Sequence, residues 1–132
     1  MKPQDIIFDE NLMLSDVKIA EQKEPFILAL SDGLSLAEEI VSNDFKNKII
    51  TFINSSSKWF EIAKDRVFKD TGDTKGLRLI TLYVLSEQSA DYIIFGLEFS
   101  LDFEREHGRG LQINAETYEI LDYGTADISF SL

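Results

Sequence analysis

The period of the chain changes at Leu77, and that change restricts the fold more than any other feature of the sequence. Before it, Phe45, Ile49, Phe52 and Ile53 fall at i, i+4, i+7 and i+8, the spacing of one helix face. After it, Leu79, Thr81, Tyr83 and Leu85 alternate with Ile80, Leu82 and Val84, which predicts a strand apolar on both faces. A sheet with two apolar faces needs cover, and the helices ahead of it are the available layer.

Local signals divide the rest. Ile6–Phe8 and Leu12–Ile19 hold short apolar pieces that suit one or two strands, and Phe26–Leu30 is an apolar run ending at Ser31-Asp32-Gly33. Ser35-Leu36-Ala37-Glu38 has capping-box spacing and predicts a short helix reaching Val41. Asp44 is a good cap for the Phe45–Ile53 helix. Ser55-Ser56-Ser57 interrupts that helix and starts another, with Trp59, Phe60, Ile62, Ala63 and Val67 on its apolar face and Gly72 as its stop. A strand is expected over Tyr92–Phe103, with Leu97, Phe99, Leu101 and Phe103 inside and Glu98, Ser100, Asp102 and Glu104 outside. His107-Gly108-Arg109-Gly110 reads as the turn into Leu111–Asn114, and Tyr118–Tyr123 and Ile128–Phe130 close a meander. The expected fold is α+β over a single domain, 1–132: N-terminal strands, two or three helices, then a C-terminal antiparallel β-meander packed on the helices.

Charge follows the same boundary. Residues 33–76 hold seven Lys/Arg and seven Asp/Glu, whereas residues 77–132 hold three and ten. Over half of the formal charge of -11 therefore lies in the expected sheet, and Lys75 is the last lysine. Such a surface repels phosphate backbones and anionic lipid, which disfavours direct nucleic-acid or membrane binding and favours a basic partner.

With 44% hydrophobic residues the chain has the means to build a core. No cysteine is present, so disulfides, a thiolate nucleophile and a sulfur-ligated zinc site are excluded. The opening MKPQDIIFDE lacks the long apolar stretch of a signal peptide, and no apolar run approaches the ~20 residues of a membrane span, so a soluble cytoplasmic protein is expected.

The densest polar cluster, Asp102 to Gly110, contains the chain's lone histidine. His107 with Glu104 or Glu106 would suit a small hydrolase or transferase. Against this, a metal site needs several ligands from more than one element, and a Gly-x-Gly between strands is not a phosphate loop. The plainer reading is a turn with glycines at strained positions. No nucleophile elbow, P-loop or zinc-protease motif occurs, and no cofactor or metal is expected. Glu38-Glu39 and Asp70-x-x-Asp73 read as solvated helix faces and ends, and Trp59 as a packing residue.

The stretches Phe95-Gly96-Leu97-Glu98-Phe99, Glu106-His107-Gly108-Arg109-Gly110 and Tyr123-Gly124-Thr125-Ala126-Asp127-Ile128 resemble a small bacterial family of unknown function. Its members share a strand, a Glu-His-Gly-x-Gly turn and a closing Gly-x-x-Asp segment. Such chains are similar to immunity proteins of toxin systems, including contact-dependent growth inhibition. The resemblance implies a non-catalytic inhibitor of a cognate toxin domain.

The charge argument reaches a compatible expectation from the residues themselves, an acidic face docking a basic toxin, commonly a nuclease, and occluding its active or substrate-binding surface. Glu98, Asp102, Glu104 and Glu106 along one edge, with Glu116, Glu119 and Asp122 nearby, are the candidate partner-binding acids. Tyr118 and Tyr123 are the candidate anchors, and Tyr83 and Tyr92 share that alternative with ordinary sheet packing. A scaffold module whose acidity serves only solubility is the remaining alternative.

Overall fold

The computed structural model describes residues 1–31 and 41–131, with the backbone alone at 104–106. The short helix expected from Ser35 lies outside the described residues.

The helical layer begins at Ser42. Its Oγ accepts the Phe45 N–H at 3.2 Å and caps helix α1 (Asn43–Asn54), a contact worth about 1 kcal/mol. Asp44, the expected cap, is instead the second residue of α1, where its charge faces the positive end of the helix. Helix α2 (Ser56–Thr71) follows at once and stops at Gly72, whose φ of 70° is the left-handed stop that the glycine predicts. The two helices are welded at their junction. Trp59, fully buried, donates its indole N–H at 2.6 Å to the Phe52 carbonyl, which also accepts the Ser55 N–H at 2.9 Å and has no i+4 partner within α1. Its ring lies 4.9 Å from the Phe52 ring at 3° interplanar angle, and Phe52 in turn stacks 4.2 Å from Phe95 on the sheet.

Among the described residues one sheet of six strands runs in sequence order: β1 (Met13–Val17), β2 (Phe26–Leu30), β3 (Arg78–Val84), β4 (Ile94–Leu101), β5 (Glu104–Asn114) and β6 (Ile120–Gly124). β3 to β6 form the antiparallel meander, as expected. The N-terminal strands join it through a parallel pairing of β2 with β3, for which α1 and α2 are the crossover. Leu28, Leu82, Leu97 and Leu111 lie in register across four strands and are fully buried. With Phe95 and Phe99 they form the floor of the core beneath the helices.

Several expected elements are placed differently. Ile6–Phe8 is not a strand: a 3-10 turn at Pro3–Asp5 precedes it, and buried Ile6 caps that turn. The expected turn at His107–Gly110 lies inside β5, and the hairpin turn is Asp102-Phe103. Phe99 pairs with Arg109 whereas Leu101 pairs with Glu104, so residues 105–108 form a bulge, with Gly108 at φ +54°. A glycine that grants positive φ serves a bulge as well as a turn, hence the misplacement. Phe103, expected inside, is 51% exposed in the hairpin turn.

Ile128–Phe130, expected as a strand, belongs to a 3-10 segment, Ala126–Phe130, lying on the sheet face opposite the helices. Glycines make room for it. A Cβ at Gly96 would overlap the Ser129 carbonyl, and one at Gly110 would lie 2.8 Å from the Ala126 carbonyl. Gln112 between them donates its side-chain amide to the Ile128 carbonyl at 2.9 Å and to that of Ser131. No helix among the described residues is long and apolar enough to cross a membrane.

Candidate partner-binding surface

β5 is the spine on which the acidic residues are arranged. Its pairing with β4 runs from Glu104 opposite Leu101 to Asn114 opposite Ile94, roughly 23 Å at strand rise, so the turns at its two ends are separate surfaces. The β4–β5 end holds exposed Asp102, whose N–H donates to the Lys75 carbonyl at 3.2 Å, and the backbone of Glu104 and Glu106. The β5–β6 end holds Glu116, Tyr118 and Glu119. β4 stops at Leu101, so Glu98, Ser100, Asp102 and Glu104 do not share one face of one strand as the alternation predicts.

Glu98 is half-buried on the face opposite the helices, in register with Thr81 and Gly110. Burial first, and then the Glu98 charge, raise the Tyr83 hydroxyl above its ordinary pKa. Tyr83 also packs 5.5 Å from Phe130 and, with Leu12, Met13 and Ala29, lines a cavity of about 270 Å³. Asp122 is exposed on the outermost strand of the same face, opposite Gln112.

Tyr123 points to the helix side and is already occupied. Its hydroxyl donates to Asp70 Oδ2 at 2.8 Å, and Arg109 Nε donates to the same oxygen at 2.8 Å. The Arg66 guanidinium lies 3.8 Å from the Tyr123 ring centroid. Asp70, read from sequence as a solvated helix end, is therefore the point where α2 is tied to β5 and β6. The hydrogen bonds from Arg109 and then Tyr123 lower its carboxyl pKa. Burial, then the hydrogen bond to Asp70, push the Tyr123 hydroxyl up to about 12.

Tyr118 is arranged otherwise. The Asn114 side chain accepts the N–H groups of Glu116 and Thr117 at 2.9 and 3.2 Å, which folds the turn tightly. Tyr118 then closes the turn, donating its N–H to the Asn114 carbonyl at 2.9 Å, at φ +61°. That left-handed conformation costs an aromatic residue about 1–2 kcal/mol. It leaves the ring half-buried, 6.4 Å from Phe52.

The result is a cavity of about 240 Å³ between α1, the segment leading into β4, and this turn. Phe52, Ile93 and Ala115 give it apolar walls, and Tyr92 and Tyr118 add aromatic ones. Lys48 lines it from α1 and Glu116 from the turn. The nearby hydroxyls of Thr51 and Ser55 donate to α1 carbonyls, each at 2.8 Å.

Glu116 and Tyr118 are the residues expected from sequence that line this cavity; Tyr92, for which anchoring and sheet packing were both open, lines it too, and Phe52 and Lys48 were not expected here. The exposed tyrosine after Asp91 was the available signal; its nearness to residues of α1 was not. His107 is exposed on the β5 bulge and lines neither cavity. Among the described residues no group of three or more His, Asp or Glu side chains is placed to hold a metal ion.

Both sheet edges are blunted. β1 shifts register between Leu14 and Val17, with Asp16 at φ +63°. On β6 the Tyr123 N–H is taken by the Asp122 carboxylate at 2.9 Å. Such edges discourage strand addition and leave recognition to side chains.

The chain matches no protein-family model, no curated protein and no solved structure.

Proposed function

We propose that this chain is a cytoplasmic binding protein that docks a basic protein partner on its acidic C-terminal sheet, as an immunity protein docks a toxin domain. The observation that carries this reading is the β5–β6 end. There Glu116 and Glu119 stand exposed beside an open, aromatic-walled cavity on a sheet held rigid by a buried core. A partner surface needs both parts. Charge speeds and orients the encounter, and a desolvated aromatic centre holds the complex.

Residues 77–132, with three basic and ten acidic side chains, supply the long-range field for a cationic partner. Asp102, Glu98 and Asp122 contribute to that field from other parts of the sheet. The inhibition itself would be steric, the bound protein covering the partner's catalytic or substrate-contacting surface.

The test is recovery of a partner from a low-salt lysate with the tagged protein as bait, followed by stopped-flow association at rising salt. The expected result is one basic, stoichiometric partner whose association rate falls steeply with ionic strength. Reversal of Glu116 and Glu119 to Lys should lower that rate about tenfold or more. A partner of neutral or acidic character, with association indifferent to salt, would sink the reading.

A further inference from the structure

The geometry points to the cavity at the β5–β6 end as the receptor for one arginine side chain of the basic partner. This rests on the binding-protein reading above and names the group that reading leaves unspecified.

Size is the first argument. At about 240 Å³ the cavity is smaller than the ~300–1,000 Å³ of sites that hold whole cofactors or drug-sized ligands. It is on the scale of one side chain.

Chemistry is the second. Phe52, Ile93 and Ala115 suit an alkyl stem, Tyr92 and Tyr118 supply π faces, and Glu116 supplies a carboxylate. An arginine matches all three at once: three methylenes, a flat weakly hydrated cation that stacks on aromatic rings, and a fork of donors for a carboxylate. Lys48 lines the α1 side and repels a cation there, so the guanidinium belongs on the Glu116 side. Exposed Asp91 and Glu119, next in sequence to Tyr92 and Tyr118, reinforce that polarity. A lysine would stack less well, and a purely apolar side chain would leave Glu116 unused.

The molecule itself provides the third argument. Further along the same hairpin, on β6, Arg66 lies 3.8 Å from the Tyr123 centroid while Tyr123 hydrogen-bonds Asp70. Arginine on tyrosine beside a carboxylate is thus a combination this hairpin already uses internally. At Tyr118 the tyrosine and the carboxylate are present and the place of the arginine is open.

The test is an NMR titration of the intact protein with N-acetyl-arginine amide at low salt, with the lysine and leucine amides alongside. Saturable millimolar binding is expected, with shifts confined to Ile93, Ala115, Glu116 and Tyr118, about threefold or more tighter for arginine than for either other amide. Glu116→Gln, a change at an exposed turn residue, should remove most of that preference while the spectrum stays folded. Leucine amide binding as tightly as arginine amide, or arginine shifts spread evenly over the acidic residues, would overturn the inference.

The two readings fail separately. Selective arginine binding without any basic partner would remove the functional reading and keep the receptor site. A basic partner whose affinity is unchanged by Glu116→Gln, with no selective binding of the arginine amide, would do the reverse.

Discussion

Tyr118 and Tyr123 stand on one hairpin and are put to opposite uses. Tyr123 is closed in: its hydroxyl is spent on Asp70, its face on Arg66, and through Asp70 it ties α2 to the sheet. Tyr118 has a strained backbone and a ring against Phe52, and it borders an open cavity. Polar groups that find partners inside the molecule hold the fold. On the proposed reading, the strained aromatic that borders an open cavity takes its complement from a partner, since strain of this kind gathers at ligand clamps. On that reading the difference separates architecture from interface among residues of the same type.

The largest expected effect comes from removing what supports both. Phe52→Ala deletes the ring between Trp59 and Phe95 and the floor of the cavity, and should cost about 3–5 kcal/mol in urea unfolding. It should abolish arginine amide binding under conditions where the variant is still folded.

Tyr123→Phe is narrower. It removes one hydrogen bond to an exposed carboxylate and should cost about 1 kcal/mol or less, with partner binding unchanged. A large loss of affinity would mean that the closed tyrosine belongs to the interface after all.

The same latch gives stability two pH limits. Asp70 has a lowered pKa in the folded state, so its contribution is present above the ordinary aspartate value near ~4. It is lost as pH falls through the lowered folded value. Tyr123 is raised, so its contribution is full below the ordinary tyrosine value near ~10 and is lost as pH rises toward about 12. Asp70→Asn should flatten the acid limb of a stability–pH curve, and an unchanged limb would show the ion pair to be idle.

Tyr118→Phe is the smallest change and the sharpest contrast. Among the described residues the Tyr118 hydroxyl makes no hydrogen bond, so stability should stay within about 0.5 kcal/mol of wild type. The same substitution at Tyr123 should be measurably worse.

The helices were legible because Phe45, Ile49, Phe52 and Ile53 sit at one period and Gly72 stops the second helix at a left-handed φ. β3 was legible from its apolar run, and the meander from the spacing of apolar stretches behind it. The β5 bulge was not, because Gly108 and Gly110 carry the same local signal in a bulge as in a turn. Nor was the C-terminal 3-10 segment, whose seat depends on Gly96 lying beneath Ser129. Of the candidate site, Glu116 and Tyr118 could be named from charge and residue type. The cavity itself joins Asn47 to Tyr118 across the fold, and no spacing along the chain reports that. Asp70 escaped for the same reason, since its partners Arg109 and Tyr123 come from the far side of the sequence.

The most direct test of the central claim sets the two ends of β5 against each other. Association with the recovered partner is timed at low salt for wild type, for Glu116→Lys with Glu119→Lys, and for Asp102→Lys. The account predicts that reversal at the β5–β6 end slows association about tenfold or more, whereas reversal at Asp102 changes it about twofold. Equal slowing at both ends, or a larger effect at Asp102, would contradict it and move the interface to the other turn or to the acidic surface as a whole.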